Sequence, residues 1–459
     1  MPNGIAISVN GDILIANFGT NCSEAIVNLT DLGLYLGHAR GSKLLIVCFG
    51  TGSFRPNFEK FCVKLTLPGD ILVTIIRTPG EVAMIAIPSA LELTRNLVRI
   101  DTRNPPGDES ECANYLAELL QAAGIEVDSY EFAAGRTSLV ARLKGRGDKK
   151  PLCFGGHIDV VPLGSKPWTV DPFAADIVDG KLYGRGTTDM KGGISAFVYT
   201  ALTLADEGRE GAADIEMAIC AGEETGCEGS FHLAEVGALS EAGAIVIAEP
   251  TSNYPILGHK GALWLRVETK GITAHGSMPE LGDNAVYKAA RAVTRLEEYG
   301  FDVKPHGLLG KSSLNVGTFA GGLNLNSVPD SASFTVDIRT IPEHDHGAII
   351  EDIKQRLGDE VAIESIVDVE GVHTPHTNEW MQEVYAIMEP ILRERIEPRG
   401  APYFTDASAL TPAYGQPPTV ILGPGEMQMA HQTDEYCPVK HIEQAAEAYL
   451  AIARRWLEL

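Results

Sequence analysis

The chain has 459 residues, room for two or three domains, and 44% of them are apolar, so sizeable cores can be buried. Its formal net charge is −24 and its pI about 4.9, which excludes nucleic-acid binding because no cationic surplus exists to neutralise phosphates. No apolar run approaches the roughly 18 residues that a membrane-spanning helix needs.

The opening "MPNGIAISVNGD" has neither a charged n-region nor an apolar h-region, so no signal peptide is read and a cytoplasmic location is expected. None of the 8 cysteines forms a CxxC pair, and free thiols in a reducing compartment are expected. Residues 1–83 stand apart. Their charges cancel (Arg40, Lys43, Arg55, Lys60, Lys64 and Arg77 against Asp12, Glu24, Asp31, Glu59, Asp70 and Glu81), so the whole negative surplus lies beyond Ala83. They read as short strands, "GIAISV", "DILIANF", "KLLIVCF" and "DILVTII", between Gly, Pro and Asn turns. The segment "PNGIAISVNGDILIANFGTN" resembles one repeat of a propeller of the gluconolactonase and NHL-repeat type. One repeat cannot bury its own faces, so a small β-rich appendage without chemistry is expected.

From Met84 the pattern is helix, Pro-Pro-Gly break, second helix and strand. Strands then alternate with helices: "LVARLKG", "PLCFGGHIDVV", the helix "KGGISAFVYTALTLADEG", "IEMAICA" and "AGAIVIAEP". This alternation predicts an α/β fold with a mostly parallel sheet covered by helices on both faces. Over residues 263–372 the order changes to β-α-β-β-α-β, the split ferredoxin-like order. The α/β pattern resumes afterwards. The expected organisation is therefore a catalytic domain of residues 84–262 and 373–459, with residues 263–372 inserted as a second domain.

Acids and histidines gather where the apolar runs end. In "GGHIDVVP", His157 and Asp159 are two apart on a predicted strand and share a face, where two ionisable groups must be paired or coordinated. Asp189 follows the glycine-rich turn of "LYGRGTTDMKGG", Glu223 and Glu224 stand side by side in "AGEETG", Glu249 closes "IVIAEPT", and His431 lies in "GPGEMQMAHQTDEY". Taken singly each has an ordinary reading: a core histidine, a helix cap, a solvated loop, a strand end, an exposed imidazole. Taken together, His157, Asp189, Glu224 and Glu249 fall at one edge, because ligand sites of open α/β sheets lie beyond the carboxyl ends of the strands. Two imidazoles with more carboxylates than one ion needs suit a pair of zinc ions, with cobalt or manganese as alternatives. His344 and His346 in "PEHDHG", and His373 and His376 in "GVHTPHT", sit in polar, turn-like contexts and are expected on surface loops.

The motifs "GGHIDVVP", "WTVDPFAADIVDGKLYGRGTTDMKGG", "AGEETG", "IAEPT", "HKG", "TAHGSMPELGDNA" and "GPGEMQMAHQTDEY" together resemble the acetylornithine deacetylase / succinyl-diaminopimelate desuccinylase family of co-catalytic metallohydrolases, from about Met84 to Leu459. The resemblance implies a two-zinc catalytic domain and an inserted lid that makes a homodimer. It implies Asp189 as the carboxylate shared by both metals, His157 and Glu249 completing one, and Glu224 and His431 the other. Asp159 would fix the His157 ring, and Glu223 would be the general base. A cis peptide is implied after Asp189. In the lid, His275 would polarise the scissile carbonyl in a neighbouring active site, and Asn326 and Arg339 would hold the substrate carboxylate. The implied activity is removal of an N-acyl group from an amino acid. A dipeptidase or carboxypeptidase with the same core, and a regulatory protein with a vestigial metal site, are the alternatives.

Overall fold

The computed structural model describes residues 87–208 and 211–459, preceded by the backbone of seven strands: β1 (Gly4–Val9), β2 (Asp12–Asn17), β3 (Leu32–Ala39), β4 (Ser42–Phe49), β5 (Cys62–Leu67), β6 (Ile71–Thr78) and β7 (Glu81–Ile87). Among the described residues these pair antiparallel as β1-β2, β3-β4 and β5-β6-β7. None of these groups is the four-stranded sheet of a propeller blade, so the propeller likeness finds no support. Strand β7 also runs across Met84, where the sequence suggested a boundary, and the first helix begins only at Ala90, capped by Ser89.

The largest sheet has six strands in the order β21 (Thr419–Ile421), β14 (Ala244–Ile247), β10 (Lys149–His157), β13 (Ala213–Cys220), β9 (Arg136–Leu143) and β8 (Glu126–Ala133). The first four are parallel, while β9 and β8 add to the edge antiparallel. The parallel strands are largely apolar because both of their faces are covered; β14, "AIVI", is buried at every position.

Among the described residues seven helices accompany this sheet: α1 (Ala90–Val98), α2 (Ser110–Ala122), α3 (Gly192–Glu207), α4 (Glu228–Glu235), α7 (Glu379–Leu392), α8 (Ala407–Ala413) and α9 (Val439–Leu457). Gly155 and Gly156 show how the layers close on β10. A Cβ on Gly155 would stand 2.7 Å from Leu410 of α8, and one on Gly156 would stand 3.2 Å from Ile194 of α3. Successive strand residues face opposite ways, so α8 and α3 press on opposite faces. The glycines before His157 admit both. Phe154, on the α3 side of its strand, packs with Phe197 of α3 and Tyr449 of α9 at centroid distances of 5.7 and 5.4 Å.

The inserted region forms a separate antiparallel sheet, β17 (Ser313–Gly321), β18 (Ser331–Thr340), β16 (Gly261–Lys270), β19 (Val361–Val369), with α5 (Ala285–Glu297) and α6 (His346–Leu357). Strand β18 alternates strictly, sending Ala332, Phe334, Val336 and Ile338 into a core with Leu263, Leu265 and Val267 of β16 and Ala289, Ala292 and Leu296 of α5. The chain enters and leaves this unit side by side, where β15 (Gly258–His259) pairs with β20 (Val372–His373). Two further strands, β11 (Ile177–Val178) and β12 (Lys181–Tyr183), join β22 (Tyr436–Pro438) in a small third sheet.

Three further expectations change. His373 lies on β20 rather than in a loop. Asp159 lies beyond the end of β10 rather than on the strand with His157. His346 is not on a surface loop: it is 3% exposed at the start of α6, bonded to Thr340 Oγ1 at 2.8 Å and Asp368 Oδ1 at 2.5 Å. The five cysteines among the described residues, Cys112, Cys153, Cys220, Cys227 and Cys437, are free and buried. Among the described residues no helix is long and apolar enough to cross a membrane.

Candidate active site

Three neighbouring parallel strands end at the same edge. His157 is the last residue of β10, Glu223 and Glu224 follow β13, and Glu249 follows β14. A turn at Thr187–Lys191, leading into α3, brings Asp189, and the loop before β22 brings His431.

Asp189 stands in the middle. Its Oδ1 lies 3.3 Å from His157 Nε2 and its Oδ2 lies 3.3 Å from His431 Nε2. His431 Nε2 also meets Glu224 Oε2 at 3.0 Å, and His157 Nε2 lies 3.6 Å from Glu249 Oε1. Two triplets able to hold an ion result: His157, Asp189 and Glu249, and Asp189, Glu224 and His431. Glu223 belongs to neither; its Oε2 is 3.9 Å from His157 Nε2, and the Cys227 thiol approaches its Oε1 at 3.9 Å. The peptide after Asp189 is cis.

The electrostatics are those of a concentrated, desolvated negative charge. Burial and the neighbouring carboxylates push Glu223 and Glu249 well above the usual carboxylate range. His431 is pushed up to about 10 by its hydrogen bonds to Asp189 and Glu224. Burial opposes a charge on His157, but hydrogen bonds to Asp159 and Asp189 outweigh it and raise the ring well above the imidazole range. Among the described residues, no Lys or Arg forms an ion pair with Asp189, Glu223, Glu224 or Glu249, and Glu224 Oε1 is buried without a hydrogen-bond partner. Four buried carboxylates against two imidazoles are costly unless cations share the site. The donor set, imidazole nitrogen and carboxylate oxygen in two triplets sharing one residue, fits two divalent ions.

Asp159 is fully buried and works on more than the His157 ring. The ring Nδ1 meets the Asp159 backbone carbonyl at 3.0 Å and its carboxylate at 3.4 Å. The carboxylate accepts the backbone N–H groups of Glu223 and Glu224 at 3.1 and 3.2 Å and Asn104 Nδ2 at 2.9 Å. One acid thus orients the imidazole and both glutamates. Asn104, which also donates to Thr225 Oγ1 at 3.0 Å, was not singled out in the sequence, and neither was Glu435. The buried Glu435 carboxylate accepts from Arg185, Gly186, Thr188 and Asp189. The only sequence signal for either was a polar residue beside a motif, "RNPPG" and "HQTDEY".

The candidates in the inserted region lie apart from this cluster. His275 is exposed; its Nδ1 accepts the Ser277 N–H at 3.2 Å and meets Ser277 Oγ at 2.8 Å. Asn326 is beside it, its carbonyl accepting the Gly276 N–H at 2.7 Å. Arg339 is near the other end of β18, paired with Asp337 at 2.9 Å and lying 5.7 Å from the Trp264 ring. Trp264 in turn meets Phe404 edge-on at 6.0 Å. None of the three forms a hydrogen bond or ion pair with the His157 cluster.

The model of Peptidase family M20/M25/M40 matches residues 153–455. A probable succinyl-diaminopimelate desuccinylase from Staphylococcus aureus (strain Mu50 / ATCC 700699) is 30% identical over 398 residues, covering 79% of this chain and 98% of that protein. An acetylornithine deacetylase from Proteus mirabilis (strain HI4320) is 31% identical over 383 residues, covering 79% and 95%. Among solved structures, an M20 family metallo-carboxypeptidase from Sulfolobus solfataricus superimposes with a TM-score of 0.68 at 18% identity, covering 81% of this chain and 99% of that one. At that identity the likeness is one of fold.

Proposed function

We propose, since this chain belongs to peptidase family M20/M25/M40 and is an amide-bond hydrolase, that it removes a short N-acyl group from an amino acid with two divalent ions at the His157 cluster. The pair of triplets sharing Asp189, with Glu223 standing beside them unshared, carries the two-ion hydrolysis, and the desuccinylase and deacetylase relatives at 30% and 31% identity favour an acylated amino acid over a peptide. His157, Asp189 and Glu249 hold one ion; Asp189, Glu224 and His431 hold the other. Zinc suits the donors best, with cobalt or manganese as substitutes. When bound, the ions supply Lewis acidity and acidify the attacking water.

The protein's own residues do the rest. Glu223, buried and outside both triplets, accepts the water's proton and returns it to the amide nitrogen as the C–N bond breaks. Asp159 holds the Glu223 and Glu224 backbone and the His157 ring in register. His275 Nδ1 accepts the Ser277 N–H, so in the neutral ring the proton sits on Nε2, a donor for the developing oxyanion. Arg339 offers a two-pronged donor for the substrate carboxylate, with Asn326 beside His275 as a further polar contact.

The lid's dimensions support a homodimer through it. His275 and Asn326 stand at one end of β18 and Arg339 at the other, about 25 Å away at the rise of an extended strand. They cannot serve one small substrate in the same chain. Arg339 is joined to the catalytic side through Trp264 and Phe404, so His275 and Asn326 serve a second copy. Around them Leu323 and Leu325 are 94% and 103% exposed, with Ile272, Leu281 and Tyr287 also open, an apolar surface that a second copy covers.

A side-by-side assay of N-succinyl and N-acetyl amino acids against dipeptides tests the substrate class. Higher kcat/KM on an acylated amino acid is expected; higher kcat/KM on dipeptides overturns the assignment in favour of a peptidase. His275→Ala is expected to keep its ions and lose kcat by roughly 10²-fold or more. Mixing it with Glu223→Gln protein should restore turnover, because a mixed dimer rebuilds one complete site. Absence of recovery in a verified mixed dimer rules out action across chains. A chain starting at Met84 is expected to keep ion binding and most turnover, since the site residues all follow it; a folded, ion-loaded but inactive truncation gives residues 1–83 a catalytic part.

A further inference from the structure

Glu435 is fully buried, and its carboxylate is bonded to Arg185 and to backbone N–H groups rather than to the side chains of the ion-holding residues. Its Oε2 accepts Arg185 Nη1 at 2.6 Å and Gly186 N–H at 3.0 Å, and its Oε1 accepts the N–H groups of Thr188 at 2.8 Å and Asp189 at 3.1 Å. Asp189 itself is not helical (φ −124, ψ 92), so the N–H groups of this bend have no helix of their own to join. A buried carboxylate is tolerated when charge and hydrogen bonds are both met, and here four donors from one turn meet it.

The same stretch is sewn to the same turn again on either side. Gly184 N–H donates to Glu435 O at 2.9 Å, Thr188 Oγ1 donates to Tyr436 O at 2.6 Å, and β12 pairs with β22. His431 lies four residues before Glu435 in a loop where its own side chain is 54% exposed. His157, by contrast, is held by β10. The Glu435 carboxylate therefore ties the stretch that carries His431 directly to the backbone of Asp189, the carboxylate His431 shares with His157.

We propose that Glu435 is a positioning residue for the second ion: it fixes the backbone of Asp189 and, through the short span from His431, sets the distance between these two ligands. This rests on the two-ion reading above. Glu435→Gln tests it, because an amide must turn its NH2 either toward Arg185 and Gly186 or toward the Thr188 and Asp189 N–H groups, donor against donor either way. Cobalt(II) is titrated calorimetrically into chelator-stripped, full-length protein. Wild-type protein should bind two ions. Glu435→Gln should bind the first at nearly unchanged affinity and the second about 10- to 100-fold more weakly, the usual scale for an outer partner of a metal ligand. A merely structural residue lowers thermal stability without opening a gap between the two affinities. Both affinities unchanged, or both weakened equally, overturns the proposal while leaving the two-ion site standing. Wild-type protein that binds no cobalt overturns the two-ion reading itself. Should Glu435→Gln not fold, Glu435→Asp keeps the charge, withdraws it by one methylene, and is held to the same gap.

Discussion

Glu223→Gln is expected to bind two ions as wild-type protein does and to lose kcat by about 10²- to 10⁴-fold, the range ascribed to a positioned acid–base group. The substitution keeps shape and one acceptor oxygen and removes the carboxylate's charge and its capacity to take up and return a proton. Geometry gives the reason that ions should stay. Glu223 lies outside both triplets, and its backbone N–H is held by Asp159 Oδ1 at 3.1 Å whatever its side chain. The effect should fall on kcat rather than KM, since the proton moves in the transition state and not on binding. Ion stoichiometry and steady-state kinetics on one preparation decide it. Loss of an ion would move Glu223 among the ligands, and full activity would return the proton transfer to another group.

Asp189→Asn is expected to be more severe, abolishing high-affinity binding of both ions and lowering turnover on the order of 10⁴-fold, the scale of losing one member of an interdependent catalytic set. Each carboxylate oxygen faces a different imidazole at 3.3 Å. An amide offers one acceptor and no charge, so it can satisfy one side only. The comparison with Glu224→Gln is informative. Glu224 sits in one triplet, and its replacement should weaken one ion and be partly reversed by added zinc. Equilibrium dialysis of both variants separates the cases, and an Asp189→Asn protein that retains two ions would remove Asp189 from the shared position.

Much of this site is legible in the sequence because a parallel sheet makes it so. Apolar runs such as "PLCFGG", "IEMAIC" and "AIVI" are strands buried on both faces, and whatever follows each emerges at one edge. That rule places His157, Asp189, Glu224 and Glu249 at one edge, and the motifs add Glu223 and His431. The sequence "GGHIDVV" predicts Asp159 on the strand because the apolar run continues past His157. The strand stops at His157, and the acid turns back to the β13 loop instead. His346 looked like a surface loop because "PEHDHG" is polar. Its partner Asp368 is 22 residues away, and Thr340, at the end of β18, bonds the other ring nitrogen. Glu435 was illegible for the same reason at greater range, its donors lying 246 to 250 residues earlier in the chain. Periodicity reports which side of an element is dry. It does not report which distant turn a buried carboxylate will close.

Turnover of an N-succinyl or N-acetyl amino acid, followed as cobalt(II) is titrated into metal-stripped protein with ions bound per chain measured in the same samples, tests the central claim most directly. The account predicts two ions per chain and amine release that rises to its maximum as they fill. A chain that saturates with two ions and hydrolyses none of the acylated amino acids, or that hydrolyses them at full rate with no ion bound, contradicts it.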